Sequence, residues 1–201
     1  MVIIAMPSYG GRCPVPAIER LKQIKGNRAD CIVVAVYGNR AYDDTLVELQ
    51  DTARYLGFNV IAGISAVAEH SIMHQYATNR PDFTDKEQLA NFAKMIMNRN
   101  DYNATTIPVE RQYKKNMPGG IVPKPNKDCV KCGICAKECP VKAINCKEFK
   151  ANSKKCISCM RFVSACPHNA RKVNKMLVSV GAMTIKKACS ARKEYELFLL
   201  K

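Results

Sequence analysis

Cys129-Val130-Lys131-Cys132-Gly133-Ile134-Cys135-Ala136-Lys137-Glu138-Cys139-Pro140 is the stretch that decides how this chain is read. Its spacing is C-x2-C-x2-C-x3-C-P. Three thiolates on one tight loop can face a single cubane iron–sulfur cluster, while the fourth points away to a second. Pro140 turns the chain after that fourth cysteine. Zinc sites use paired knuckles separated by a long stretch, which this run does not match. The surrounding cysteine usage agrees. Of eleven cysteines, nine lie at or after Cys129, and only Cys13 and Cys31 precede it. In a reducing compartment disulfides are disfavoured, so metal ligation is the first explanation for such a concentration.

The motif recurs 27 residues on: Cys156, Cys159, Cys166 and Pro167 match Cys129, Cys132, Cys139 and Pro140, and Ala170 matches Ala143. Over about 45 residues this segment resembles the internally duplicated two-cluster bacterial ferredoxins. The resemblance implies a crossed ligand pattern. One [4Fe-4S] cluster takes Cys129, Cys132, Cys135 and Cys166; the other takes Cys156, Cys159 and Cys139. The second set lacks a ligand, because Phe162 stands where Cys135 stands in the first. That site is open between a [3Fe-4S] centre, a [4Fe-4S] centre with a non-cysteine fourth ligand, and a labile or absent cluster. Cys146, on the connection between the motifs, and Cys189 read as ordinary packed residues, and His168 as a neighbour of the ligands.

Upstream, residues 1–99 read as alternating strands and helices. Apolar runs at Val2–Met6, Cys31–Tyr37 and Phe58–Ala62 suit buried strands. Helices are expected from Pro14 to Ile24, after Asp43 or Asp44, and from a capping box at Thr84-Asp85-Lys86-Glu87 to about Arg99. Strand–helix repeats of this length imply a parallel sheet, whose ligands sit beyond the carboxyl ends of its strands. Residues 100–127, with Pro108, Pro118, Pro123, Pro125 and Gly119-Gly120, read as a linker or arm. The expected organisation is therefore a domain at 1–99, the linker, an iron–sulfur domain at 128–172, and a C-terminal helix and tail at 173–201. The helix is expected over Val173–Lys187, and the apolar end Leu197–Leu200 is expected to dock on the body. The fold class is α/β plus α+β.

Two loops follow the first two strands: Pro7-Ser8-Tyr9-Gly10-Gly11 and Tyr37-Gly38-Asn39-Arg40-Ala41-Tyr42. They resemble the flavin-ring loops of flavodoxins. The whole order, including the tail Cys189–Leu199, is similar to fused flavodoxin–ferredoxin proteins of anaerobic bacteria. The resemblance implies FMN between the loops, held by Ser8, Tyr9, Gly10, Gly11, Tyr37, Gly38, Asn39, Arg40 and Tyr42, with Tyr9 and Tyr42 placed to stack on the ring. One departure stands out. Flavodoxins seat the FMN phosphate in a Ser/Thr- and Gly-rich loop after their first strand, and this chain opens where a flavodoxin would begin its third. Three readings follow: Met1 is not the true start, a partner (a second copy included) covers the bare sheet edge, or flavin binding has been lost.

Composition bounds the function. At 47% hydrophobic, the chain affords a packed core. No apolar run reaches the ~18 residues of a membrane span, and no basic region precedes the apolar start, so the expected location is the cytoplasm. The formal charge of +15 is spread over both halves. It is partly offset by clusters that carry about −2 each with four thiolates. Nucleic acid is therefore not the expected partner; a redox protein is. No catalytic triad, paired acid–base carboxylates or Walker loop is visible. The expected role is an electron carrier, with or without FMN, rather than a substrate-converting enzyme. The alternatives are a flavin-dependent reductase of a small molecule and an iron–sulfur regulatory or nucleic-acid-binding protein. Exposed clusters react with oxygen, which points to an anaerobic setting.

Overall fold

The computed structural model describes residues 1–99, 104–108, 113 and 120–200. The expected linker lies partly outside these described residues, Pro118 and Gly119 included. The described residues form two compact units. One holds 1–70, 188–200 and the described part of 74–116; the other holds 71–73 and the described part of 117–187.

The first unit is a sheet with β1 (Val2–Pro7), β2 (Asp30–Tyr37) and β3 (Asn59–Val67) side by side and parallel. Helix α1 (Val15–Leu21) joins β1 to β2, α2 (Thr45–Tyr55) joins β2 to β3, and α3 (Phe83–Met97) follows β3. Side chains alternate across β2. Cys31, Val33 and Ala35 enter a core with Ile18, Leu21, Leu46, Leu49 and Ala53. Ile32 and Val34 join Ile61, Ile64, Val67 and Ile96 on the other face. Burial on both faces is why β2 and β3 read as unbroken apolar runs; β1, at the edge of the sheet, leaves Val2 and Ile3 exposed.

Several boundaries differ from the sequence reading. Helix α1 ends at Leu21, because Gln23 and Ile24 fold their N–H groups back on Arg20 and Leu21 in a tightened turn. Helix α3 starts at Phe83, not at the Thr84–Glu87 box. Asp82 is the cap, accepting from the Asp85 N–H at 3.0 Å, while the Asp85 carboxylate accepts from the Asp82 N–H at 2.9 Å. Strand β3 runs on to Val67, past Ala62. β2 pairs with it as far as Tyr37 opposite Val67, and on its other side the tail docks as a fourth, antiparallel strand, Glu196–Leu199, pairing Ala62 with Leu199 and Ser65 with Glu196. Ser65 is fully buried and donates to Glu196 Oε2 at 2.8 Å, so this polar residue is satisfied within the strand.

The second unit is smaller. A short strand β4 (Lys124–Pro125) pairs with β5 (Arg171–Lys172), tying the chain before the first cysteine motif to the chain after the second. Between them lie α4 (Ile134–Glu138) and α5 (Arg161–Ser164). Helix α6 (Lys175–Ile185) follows, capped by the Asn174 carboxamide, which accepts from the Met176 N–H at 2.9 Å. It is shorter than the expected 173–187, and the chain from 188 onward belongs to the sheet unit. Among the described residues no helix is long and apolar enough to cross a membrane.

Candidate iron–sulfur centre

The duplication seen in sequence is carried into the backbone. Lys131 and Gly133 have positive φ (56° and 83°), and so do Ser158 and Met160 (52° and 56°), 27 positions later. Helix α4 begins with the Ala136 N–H on Gly133 O, and α5 with the Val163 N–H on Met160 O. Gly133 takes the left-handed region freely; Met160 does so at a cost of roughly 1 kcal/mol. Left-handed residues set among right-handed ones turn successive N–H groups into anion-binding concavities, a geometry that recurs at iron–sulfur sites. The hydrogen bonds to sulfur repeat too. The Ala143 N–H donates to Cys139 Sγ at 3.2 Å, and the Ala170 N–H to Cys166 Sγ at 3.3 Å. Bonds of this kind to a ligating sulfur tune the potential of an iron–sulfur cluster.

Cys129, Cys132, Cys135 and Cys166 line a single recess, walled also by Phe149, Ala170 and Arg171. Cys135 is buried, Cys129 and Cys166 are partly buried, and Cys132 is exposed. His168 lies on the same recess and is itself exposed. Among the described residues no three His, Cys, Asp or Glu side chains stand close enough to hold one metal ion. All four cysteines instead border the same small recess. The residues present therefore fit a [4Fe-4S] group: four soft donors, positive backbone geometry and an N–H···S bond.

The other three cysteines sit differently. Cys139 and Cys156 are buried in one apolar cluster with Phe162, Ile144 and Phe149, and Cys159 is partly buried. Burial pushes the Cys156 thiol up, and its neighbours Cys159 and Cys139 act in the same direction, so the three thiols lie within electrostatic reach of one another. Phe162 is only 2% exposed and fills the position that Cys135 holds in the first half. Cys146 is exposed. Cys189 is buried in the sheet unit, where its carbonyl accepts from Asn39 Nδ2 at 3.0 Å.

The loops at 7–11 and 37–42 meet beyond the carboxyl ends of β1 and β2. Asp44 donates its N–H to Gly11 O at 3.0 Å, and Ser8 Oγ to Tyr42 O at 3.3 Å. Tyr9 is partly exposed and Gly10 exposed. The remaining residues are engaged within the unit. Tyr37 is buried and meets Tyr42 edge-on at 5.3 Å. Burial raises both phenols, Tyr37 to about 12, and a hydrogen bond to Glu196 adds to the rise at Tyr42. Asn39 is 3% exposed, with Nδ2 donating to the Cys189 and Ala191 carbonyls and Oδ1 buried without a partner among the described residues. Arg40 pairs with Asp43. Gly38 is required by proximity: a Cβ there would lie 2.8 Å from His70 Cδ2. The sequence reading missed Arg12 and Glu48. Arg12 makes a two-pronged pair with Glu48 (2.8 and 2.7 Å), and Glu48 also accepts from the Cys13 N–H at 2.9 Å. No local motif announces that pair.

Comparison with protein families places a 4Fe-4S binding domain at residues 124–145. No curated protein matches the chain. The family match supports a ferredoxin-type domain with a 4Fe-4S cluster and an iron–sulfur electron-transfer role. It covers the first cysteine motif and ends before the second.

Proposed function

We propose that this chain is an iron–sulfur electron carrier whose principal cluster is held by Cys129, Cys132, Cys135 and Cys166. The observation that carries this reading is the single recess lined by all four thiols, one of them brought from the second half of the duplication. When bound, a [4Fe-4S] group supplies reversible one-electron chemistry. The chain's residues do the rest. Cys135 and the apolar cluster behind it exclude water from one side, and the exposed Cys132 marks the side from which a partner is reached. The Ala170 N–H stabilises charge on Cys166.

Cys139, Cys156 and Cys159 form the second site, incomplete at Phe162. Phe162→Cys supplies the fourth thiol in the position the duplication assigns. Reconstituted anaerobically, this variant is expected to bind more iron per chain than the parent and to show a new [4Fe-4S] signal by EPR. Its apo form should be less stable by about 3 kcal/mol, since a buried ring is lost. An unchanged iron count and spectrum, from a parent with fewer than four irons at this site, would show that the three cysteines do not act together.

We further propose that FMN binds at the loops bearing Tyr9, Gly10 and Gly38, passing electrons to the clusters and from there to a redox partner. Support comes from the contact between the two loops beyond the strand ends. Reconstitution with iron, sulfide and FMN decides it. Near-stoichiometric flavin per polypeptide is the expected result. Iron without flavin would leave the chain as a ferredoxin-type carrier on an α/β scaffold.

A further inference from the structure

Arg171 is 2% exposed, yet among the described residues it makes no ion pair with an Asp or Glu. Its Nη2 donates to Phe149 O at 2.6 Å and to Cys135 Sγ at 3.0 Å, its guanidinium carbon lies 5.7 Å from the Phe162 ring centroid, and Nη1 is buried with no partner. A guanidinium does not lose its proton in a protein, and a buried, unbalanced cation is expensive. Something on the recess that Arg171 lines must supply negative charge and a further acceptor.

The duplication shows what that is. Arg171 occupies the position of Ile144 in the first half, and Phe162 that of Cys135. Across the halves, Arg171 meets Cys135, whereas Ile144 packs in the same apolar cluster as Phe162. Where the first half has a hydrocarbon, the second half has a cation that reaches the Cys135 sulfur.

We propose that Arg171 is the charge-balancing residue of the four-cysteine site, donating to Cys135 and to the bound cluster, and that it raises the reduction potential of that cluster. This rests on the four-cysteine reading above. Reduction moves one electron from an external low-potential donor, which is oxidised, to the site; no bond breaks, and Arg171 has no proton to gain. The added negative charge is stabilised by the fixed cation beside it.

The test uses the full chain, reconstituted anaerobically with iron and sulfide, in parent, Arg171→Lys, Arg171→Gln and Arg171→Ile forms. Iron per chain reports the four-cysteine site; the midpoint potential reports Arg171, so a failure of either is seen separately. Gln and Ile are expected to lower the reduction equilibrium constant by about tenfold or more, which is 59 mV for one electron. Lys, which keeps the charge, should stay close to the parent. Loss of iron from Gln and Ile but not from Lys would support the same assignment. A parent-like potential in Gln or Ile, a shift in Lys as large as in Gln, or loss of iron from all three would overturn it, because the side chain would then act only in packing.

Discussion

Cys132→Ala is expected to lower bound iron by about four atoms per chain while leaving the apo polypeptide as stable as the parent. Cys132 is the exposed member of the recess. Truncating an exposed side chain typically changes stability by less than about 0.5 kcal/mol, so a defect in this variant reports ligation rather than packing. Metal binding and folding are coupled, so the iron unit should also lose the stability that the cluster confers on the parent. Cys146→Ala provides the contrast: Cys146 is also exposed but does not line the recess, and its iron content should match the parent. Iron analysis with an absorbance spectrum reads both. Full iron in Cys132→Ala would refute the ligand assignment.

Asp85→Ala should destabilise the sheet unit by about 3 kcal/mol or more. The Asp85 side chain is fully buried and that of Arg80 is 4% exposed. Arg80 Nε donates to Asp85 Oδ2 at 2.9 Å, its Nη1 to the Lys193 carbonyl at 2.6 Å, and Arg192 Nη2 reaches Asp85 Oδ1 at 2.9 Å. Removing the carboxylate leaves the Arg80 cation buried without a counter-charge, and at the same time frees the cap of α3 and the anchor of the tail. The pair itself need not be a large net gain; the cost lies in breaking one side of it. In urea the transition midpoint should fall with little change in slope. Arg192→Ala, at an exposed position, should change it far less. The hydrogen bond from Arg80 holds the Asp85 carboxyl below its ordinary range, and the Arg192 bond brings Asp82 to about 2. Both groups have a folded value below the unfolded one, so their contribution is complete above about pH 4 and is lost as pH falls through the folded values. An acid transition that Asp85→Ala left unchanged would remove Asp85 from this account.

What the sequence reveals here depends on how far each feature reaches along the chain. The cysteine motif is read directly because its four cysteines, Cys129 to Cys139, lie within eleven residues, and the duplication exposes Phe162 as a gap because the comparison is internal. The apolar runs of β1 and β2 are local as well. Features that depend on distant partners are not legible. The third strand is read as ending at Ala62, and nothing local shows that Ser65 lies within it, bonded to Glu196 131 residues away. Asn39 and Arg40 read as ligand-loop residues, and only the fold shows Asn39 held on the carbonyls of Cys189 and Ala191. Asp82 displaces the expected cap because the tail and Arg80 converge on the start of α3. Arg171 occupies what the repeat marks as an apolar slot, and its meaning emerges only when Cys135 is found at its tip.

Cys166 lines the same recess as Cys129, although 37 residues separate them. A cluster seated on both would close the intervening chain into a ring, as a disulfide does. A chain that unfolded with its metal still attached would remain tethered, and by loop-entropy reasoning a closure of that length removes about 4 kcal/mol of disorder from the unfolded state. The first motif alone, cut from the second, would lack both the fourth thiol and the ring. On the proposed ligand set the duplication would be a topological lock as well as a source of ligands, since neither half would complete the site without the other.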